Sequence, residues 1–255
     1  MTAAIYFSPT DTSRKGAEAI ARELAGDGPV LSINVTRFDA AAEKTEFSAE
    51  DLVVFGAPVY GGRLYRGCRE RFSRFHGNNT PCVITVTYGN RHYDDALIEL
   101  FDLVRELGFR PAAAAALVGQ HTYGQIQVGR PDEKDLAQDR EFAAKAAENL
   151  AKGVFLESVP GNRPYVKGDE GGKGGSFRPL TSDACTGCGL CVRECPEGAI
   201  GADCRTIDPQ ACIACFRCIQ ICPAGAKNMN VPAYQEFAEE FSRKLSQPRE
   251  NEYFL

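Results

Sequence analysis

The sequence predicts a doubly wound α/β domain joined to a small cysteine-rich α+β unit, and three observations carry that expectation. Over the first ~150 residues, short apolar runs alternate with helix-period patterns, the signature of βαβ units around a parallel sheet. Nine of the eleven cysteines crowd between residues 185 and 222. Between these regions, residues 153–179 carry Gly161, Gly168, Gly171, Gly172, Gly174 and Gly175 together with prolines, which reads as a linker or an irregular wrap. The expected divisions are therefore 1–152 for the α/β domain, 153–179 for the linker, 180–230 for the cysteine unit and 231–255 for a closing helix and tail.

The elements follow in order. Residues 3–7 (Ala-Ala-Ile-Tyr-Phe) form a buried first strand, followed by the loop Ser8-Pro9-Thr10-Asp11-Thr12-Ser13. A helix then runs to Leu24, with Ala17, Ile20, Ala21 and Leu24 at helical spacing. Residues 30–36 alternate as a second strand, and 51–57 form a third that Pro58 ends. Residues 63–75 read as a charged helix, 81–88 as a fourth strand, and 94–107 as a helix capped by Gly108. The run 112–118 is locally helix-prone because of its five alanines. Its position after Pro111, and the need for a fifth strand before the next helix, make strand the expectation. Residues 132–152 form a helix with Leu136, Phe142, Ala143, Ala146 and Leu150 towards the core. Residues 231–247 form an amphipathic helix bearing Tyr234, Phe237, Ala238, Phe241 and Leu245.

Hydrophobic residues at 44% and charged ones at 25% suit a soluble chain that can bury a core. A net charge of −5 and a pI near 5.4 disfavour nucleic acid or an anionic membrane as partner. No apolar run approaches the ~18 residues of a membrane span. Residues 1–7 are too short, and lack the basic flank, to be a secretory signal, so a cytoplasmic location is expected. A reducing compartment keeps the crowded cysteines as thiols available to metal.

Cys185-x2-Cys188-x2-Cys191-x3-Cys195-Pro196 recurs as Cys212-x2-Cys215-x2-Cys218-x3-Cys222-Pro223, offset by 27 residues throughout. The repeat implies a pseudo-twofold unit. Zinc sites use Cys-x2-Cys pairs, but a single ion has no use for three close cysteines plus a Cys-Pro repeated intact. The pattern resembles a two-cluster bacterial-type ferredoxin over about fifty residues. In that pattern the fourth cysteine of each run ligates the other cluster. Cys185, Cys188, Cys191 and Cys222 would then hold one [4Fe–4S] cluster, and Cys212, Cys215, Cys218 and Cys195 the other. Cys204, Cys68 and Cys82 lie outside the runs and read as small buried hydrophobes.

The loop from Ser8 to Ser13 joins a strand to a helix, where free N–H groups and hydroxyls suit a phosphate. Two more loops follow predicted strands: Ala57-Pro58-Val59-Tyr60-Gly61-Gly62-Arg63, and Thr87-Tyr88-Gly89-Asn90-Arg91-His92-Tyr93-Asp94. Loops at the carboxyl ends of neighbouring strands converge on a ligand at the switch point of an open sheet. No G-x-G-x-x-G follows the first strand, so direct NAD(P)H binding is not expected. Residues 1–152 resemble the flavodoxin family. The resemblance implies a five-stranded parallel sheet of order 2-1-3-4-5 and an FMN site. Its phosphate would sit on Ser8, Thr10, Asp11, Thr12 and Ser13, and its ring between the Pro58-Val59-Tyr60-Gly61 and Thr87-Tyr88-Gly89-Asn90 loops. Tyr60 and Tyr93 would stack on the ring faces. Asp11 stands where flavodoxins usually have glycine, and is expected to cap the helix instead. His121 and His92 read as hydrogen-bonded surface or interface histidines.

A flavodoxin-like module and a two-cluster ferredoxin on one chain resemble the flavodoxin–ferredoxin fusion proteins of anaerobic microbes. The resemblance implies FMN and two [4Fe–4S] clusters relaying electrons to redox partner proteins, ferredoxin-type donors or acceptors among them. Two other readings stay open: an FMN-dependent reductase of a small substrate fed by the clusters, and a redox or iron–sulfur sensor. A homodimer is expected if the gap between FMN and the nearer cluster within one chain is long.

Overall fold

The computed structural model describes residues 1–37, 39, 40, 42, 44–166 and 177–255. In chain order the first domain is β1 (Thr2–Tyr6), α1 (Thr12–Ala25), β2 (Val30–Asn34), β3 (Leu52–Tyr60), α2 (Arg66–Phe72), β4 (Thr80–Tyr88), α3 (Ala96–Glu106), β5 (Phe109–Val118) and α4 (Glu133–Ala151). The sheet order is β2-β1-β3-β4-β5 with every pair parallel, the doubly wound flavodoxin-like arrangement. The alanine run is strand. Ala113 and Ala115 face the α1–α4 layer beside Ala17, Phe142 and Ala146, while Ala114 and Ala116 face the opposite core. Cross-strand pairing and two-sided burial override the local helix propensity of alanine.

Two sequence expectations are corrected, and the tail, to which no element was assigned, forms a strand. Strand β3 does not stop before Pro58 but runs to Tyr60, with Pro58 opposite Thr87. Its pairing with β1 ends at Gly56, so past that point β3 has a parallel neighbour on one side, where a proline is tolerated. The expected helix 63–75 is two elements: Arg63–Leu64 folds back as a short strand on β3, and the helix spans Arg66–Phe72. The tail is not a free end. Glu252–Phe254 pairs antiparallel with β5 and extends the first sheet.

Part of the expected linker, including Gly168, Gly171, Gly172, Gly174 and Gly175, lies outside the described residues. The part before it is a wrap along α3. Asp95 accepts from the backbone N–H groups of Asn162 and Val166, and Asp102 accepts from Arg163 and from the Tyr165 hydroxyl. Burial resists ionisation of both carboxyls, yet these donors outweigh it and hold them below the usual range.

The cysteine unit is closed by the antiparallel pair Leu180–Thr181 and Lys227–Asn228, with the short helices α5 (Leu190–Arg193) and α6 (Arg217–Gln220) inside it. Helix α7 (Pro232–Lys244) follows. This unit is docked on the first domain. Arg71, 1% exposed, donates to the Pro196 carbonyl at 2.8 Å and to Glu197 at 2.6 Å, and its guanidinium lies 5.0 Å from the centre of the Phe7 ring. Arg217 donates to the Pro9 carbonyl at 2.8 Å and to Glu194 at 2.5 Å. Ile213 and Cys215 belong to the same apolar cluster as the first domain's core.

Candidate functional site

The carboxyl ends of β1, β3, β4 and β5 open on one cleft of about 710 Å³, counting its mouth. Its wall gathers Thr10, Thr12, Ser13, Pro58, Val59, Tyr60, Gly61, Thr87, Tyr88 and Gly89, ten residues drawn from all three expected loops. Gln120, His121, Thr122 and Tyr123 complete the wall from the loop after β5, and Ile213 and Ala214 form its roof from the cysteine unit. The hydroxyls of Ser13 and Thr87 are buried without a hydrogen-bond partner. Such a group costs about 1–3 kcal/mol unless a ligand satisfies it. Two of them on one cleft, beside the N-terminus of α1, fit a polar, anionic ligand.

Four expected residues lie elsewhere. The Ser8 hydroxyl accepts from the Arg14 N–H at 3.0 Å, so it caps the first turn of α1. Asp11 does not make the expected cap. It sits at the N-cap with φ 62°, and its carboxylate pairs with Arg14 at 2.9 Å, turned away from the cleft. Asn90 is 2% exposed; its amide donates to the carbonyls of Leu245 and Gln247, fastening the end of the chain. Tyr93 is buried against Tyr88 and His92, with its hydroxyl donating to Glu252. Burial and that carboxylate together raise its pKa. Besides Tyr60 and Tyr88, the cleft wall carries the ring of Tyr123, from the loop after β5.

His92 is a capping group, its Nδ1 accepting from the Asp94 N–H. His121 is packed against Gly89, where an added Cβ would come within 2.3 Å of the ring, and lies 5.1 Å from the Phe241 ring centre. Its Nδ1 accepts from the Tyr123 N–H at 2.8 Å, which leaves the proton on Nε2. Burial disfavours the charged ring and pulls its pKa down to about 4. An unfolded chain takes up this proton near pH 6.5. The contribution of His121 to stability is therefore full above about pH 6.5 and falls as the pH drops towards about 4. Across that window His121→Gln is expected to lose less stability than the parent, read as thermal unfolding midpoints; parallel slopes would refute this.

The cysteines are gathered in two groups. Cys185, Cys188, Cys191 and Cys222 line one small cavity beside the Leu180–Thr181 strand pair. In the other group, Cys195 acts electrostatically on Cys212, Cys215 and Cys218. The fourth cysteine of each run thus stands with the first three of the other. Each is held alike: the Ala199 N–H donates to Cys195 Sγ and the Ala226 N–H to Cys222 Sγ, both at 3.3 Å and 27 residues apart. Burial pushes the Cys218 thiol up to about 12 and that of Cys215 higher still. Thiolates at these positions need a bound cation to exist. Among the described residues no three or more Cys, His, Asp or Glu converge as on a single metal ion.

Among the described residues no helix is long and apolar enough to cross a membrane. Residues 182–226 match a protein family described as a 4Fe-4S dicluster domain. No curated protein matches the chain. Among solved structures, an archaeal flavodoxin is similar at 16% identity and a TM-score of 0.45, covering 59% of this chain and 99% of its own. The flavodiiron core of a Synechocystis protein is similar at 21% identity and a TM-score of 0.42, covering 60% of this chain and 36% of its own. The Megasphaera elsdenii flavodoxin gives 16% and 0.37, covering 57% of this chain and 99% of its own. The fold assignment rests on strand order and direction. A flavodoxin-like sheet and a segment that matches a 4Fe–4S dicluster family thus stand on one chain, as in a flavodoxin–ferredoxin fusion.

Proposed function

We propose that the chain binds one FMN and two [4Fe–4S] clusters and relays electrons between the flavin, the clusters and external redox proteins. One observation carries the reading: Ile213 and Ala214, which roof the cleft, lie between Cys212 and Cys215. The peptide that grips one cluster is thereby the peptide that faces the flavin. FMN accepts one or two electrons and each cluster carries one, so together they exchange electron pairs for single electrons.

The residues divide the work. Thr10, Thr12 and Ser13 supply hydroxyl and backbone donors to the phosphate at the start of α1. Tyr60 and Tyr123 offer ring faces to the isoalloxazine, and backbone groups at Gly61 and Gly89 meet its polar edge. Arg71 and Arg217 hold the cluster unit against the cleft, so transfer needs no collision between modules. Cys188 is exposed, which places the other cluster at the surface where a ferredoxin-type partner can dock. Because Ile213 and Ala214 border both the cleft and one cysteine group, this reading needs no second copy.

The roof also bears on the reductase alternative. Ile213, Ala214 and the His121–Tyr123 segment occupy the side from which a small substrate would approach. Protein purified without oxygen is expected to carry about eight irons and one FMN per chain. Its flavin should equilibrate with a reduced low-potential ferredoxin and show no saturable reoxidation by small acceptors. Zinc without flavin would overturn the proposal, and saturation by one metabolite would transfer it to the reductase.

A further inference from the structure

The cavity of the first cysteine group is lined by five cysteines, not four: Cys204 joins Cys185, Cys188, Cys191 and Cys222. A [4Fe–4S] cluster takes four thiolates. The fifth is only 3% exposed and packs in one small apolar cluster with Cys191. Its thiol makes a long approach to the Ala202 carbonyl at 3.9 Å.

Cys204 is held there by a built turn. Ile200 bridges Ile207, the Gly201 N–H donates to the Thr206 carbonyl at 2.9 Å, and the Cys204 N–H donates to the Gly201 carbonyl at 2.8 Å. Asp203 accepts from the N–H groups of Arg205 and Thr206, both at 2.9 Å. Cys204 itself has φ 59°, a left-handed conformation that is strained for a side-chain-bearing residue and that glycine adopts freely. A cavity-facing thiol occupies a position whose backbone favours glycine. The second group has no such thiol, because the 27-residue offset puts Val231 at the matching place.

Resting on the two-cluster reading above, we propose that Cys204 is a reserve ligand for the iron that Cys191 holds. Exchange breaks the iron bond to the Cys191 sulfur and forms one to the Cys204 sulfur. The proton of the Cys204 thiol passes to the departing thiolate, and no electron is gained or lost. Of the four ligands, Cys191 is the one whose replacement needs least movement, since it is the one buried beside the fifth thiol in the same apolar cluster.

The test begins with iron content and the electron paramagnetic resonance of the reduced, anaerobic parent. Absence of about eight irons there sinks the two-cluster reading itself, separately from the role of Cys204. Given a loaded parent, Cys204→Ala and Cys191→Ala are each expected to keep about eight irons, and the double variant to fall to about four. A fall to about four in Cys191→Ala alone, or full iron in the double variant, would overturn the proposal. If Cys191→Ala does not fold, Cys191→Ser decides. Its spectrum should match the all-thiolate parent with Cys204 present and change in Cys191→Ser/Cys204→Ala, where serine oxygen must ligate. Identical spectra for these two would equally overturn it.

Discussion

Cys195→Ser is expected to remove the cluster beside the flavin and to spare the one held by its own sequence neighbours. The basis is spatial. Cys195 follows Cys185, Cys188 and Cys191 in the chain, but it stands within electrostatic reach of Cys212, Cys215 and Cys218. Cys222 takes the vacated place among the first three. A serine hydroxyl is a far weaker iron ligand than a thiolate near neutral pH, so iron should fall from about eight to about four per chain. The magnetic coupling between two reduced clusters should vanish and leave the spectrum of an isolated one. Because the lost cluster is the one gripped across Ile213 and Ala214, flavin reduction by an external ferredoxin should slow while the remaining cluster still reduces. Loss of the Cys185 cluster instead would refute the crossed arrangement.

The second large effect is expected at Arg71. Its guanidinium is sealed between Phe7, Tyr65 and the Cys195-Pro196-Glu197 turn. Arg71→Met keeps much of the volume but leaves the Glu197 carboxylate and the Pro196 carbonyl without their donor. Removing one partner of a buried, hydrogen-bonded ion pair costs about 3–5 kcal/mol, and the lower end applies because Glu197 is partly open to water. Denaturant unfolding at unchanged slope should report a loss of about 3 kcal/mol. Arg71→Lys should recover only part, since an ammonium lacks the planar fork. The same variants should hold FMN more weakly, because the turn Arg71 grips belongs to the unit that roofs the cleft. An unfolding midpoint that does not move would show that the docking is held elsewhere.

The fold was legible wherever the pattern was local. Strand-then-helix alternation located all five parallel strands, and even the alanine run was placed by its position between Pro111 and the next helix. The two cysteine runs were equally local as a spacing pattern, whereas the crossed place of the fourth cysteine came from the resemblance to two-cluster ferredoxins. What escaped was set by residues distant in sequence. Tyr93 and Asn90 follow the fourth strand as cleft residues would, yet both are turned by the end of the chain: Glu252 takes the Tyr93 hydroxyl, and the carbonyls of Leu245 and Gln247 take the Asn90 amide. Tyr123 reaches the cleft wall within an aromatic cluster with Phe216 and Tyr234, from elements about a hundred residues later. Asp11 was read as a cap from its residue type, but Ser8 already supplies that acceptor. Cys204 was read from its isolation as an inert hydrophobe; only the folded turn shows which cavity it lines.

The tail strand Glu252–Phe254 has a consequence for association. Without it, β5 would present an open row of N–H and C=O groups flanked by alanine, with no charged side chain along its centre to repel another chain. Such a margin is a template for pairing between molecules. The polypeptide closes it only after passing through the whole cysteine unit and α7, and the closing residues are fastened by Asn251 to the Val118 N–H and by Tyr253 to Asp139. The cysteine unit is thus spliced between two stretches of a single sheet, so protection of the flavodoxin-like domain against edge-to-edge aggregation depends on correct folding of the metal-binding segment.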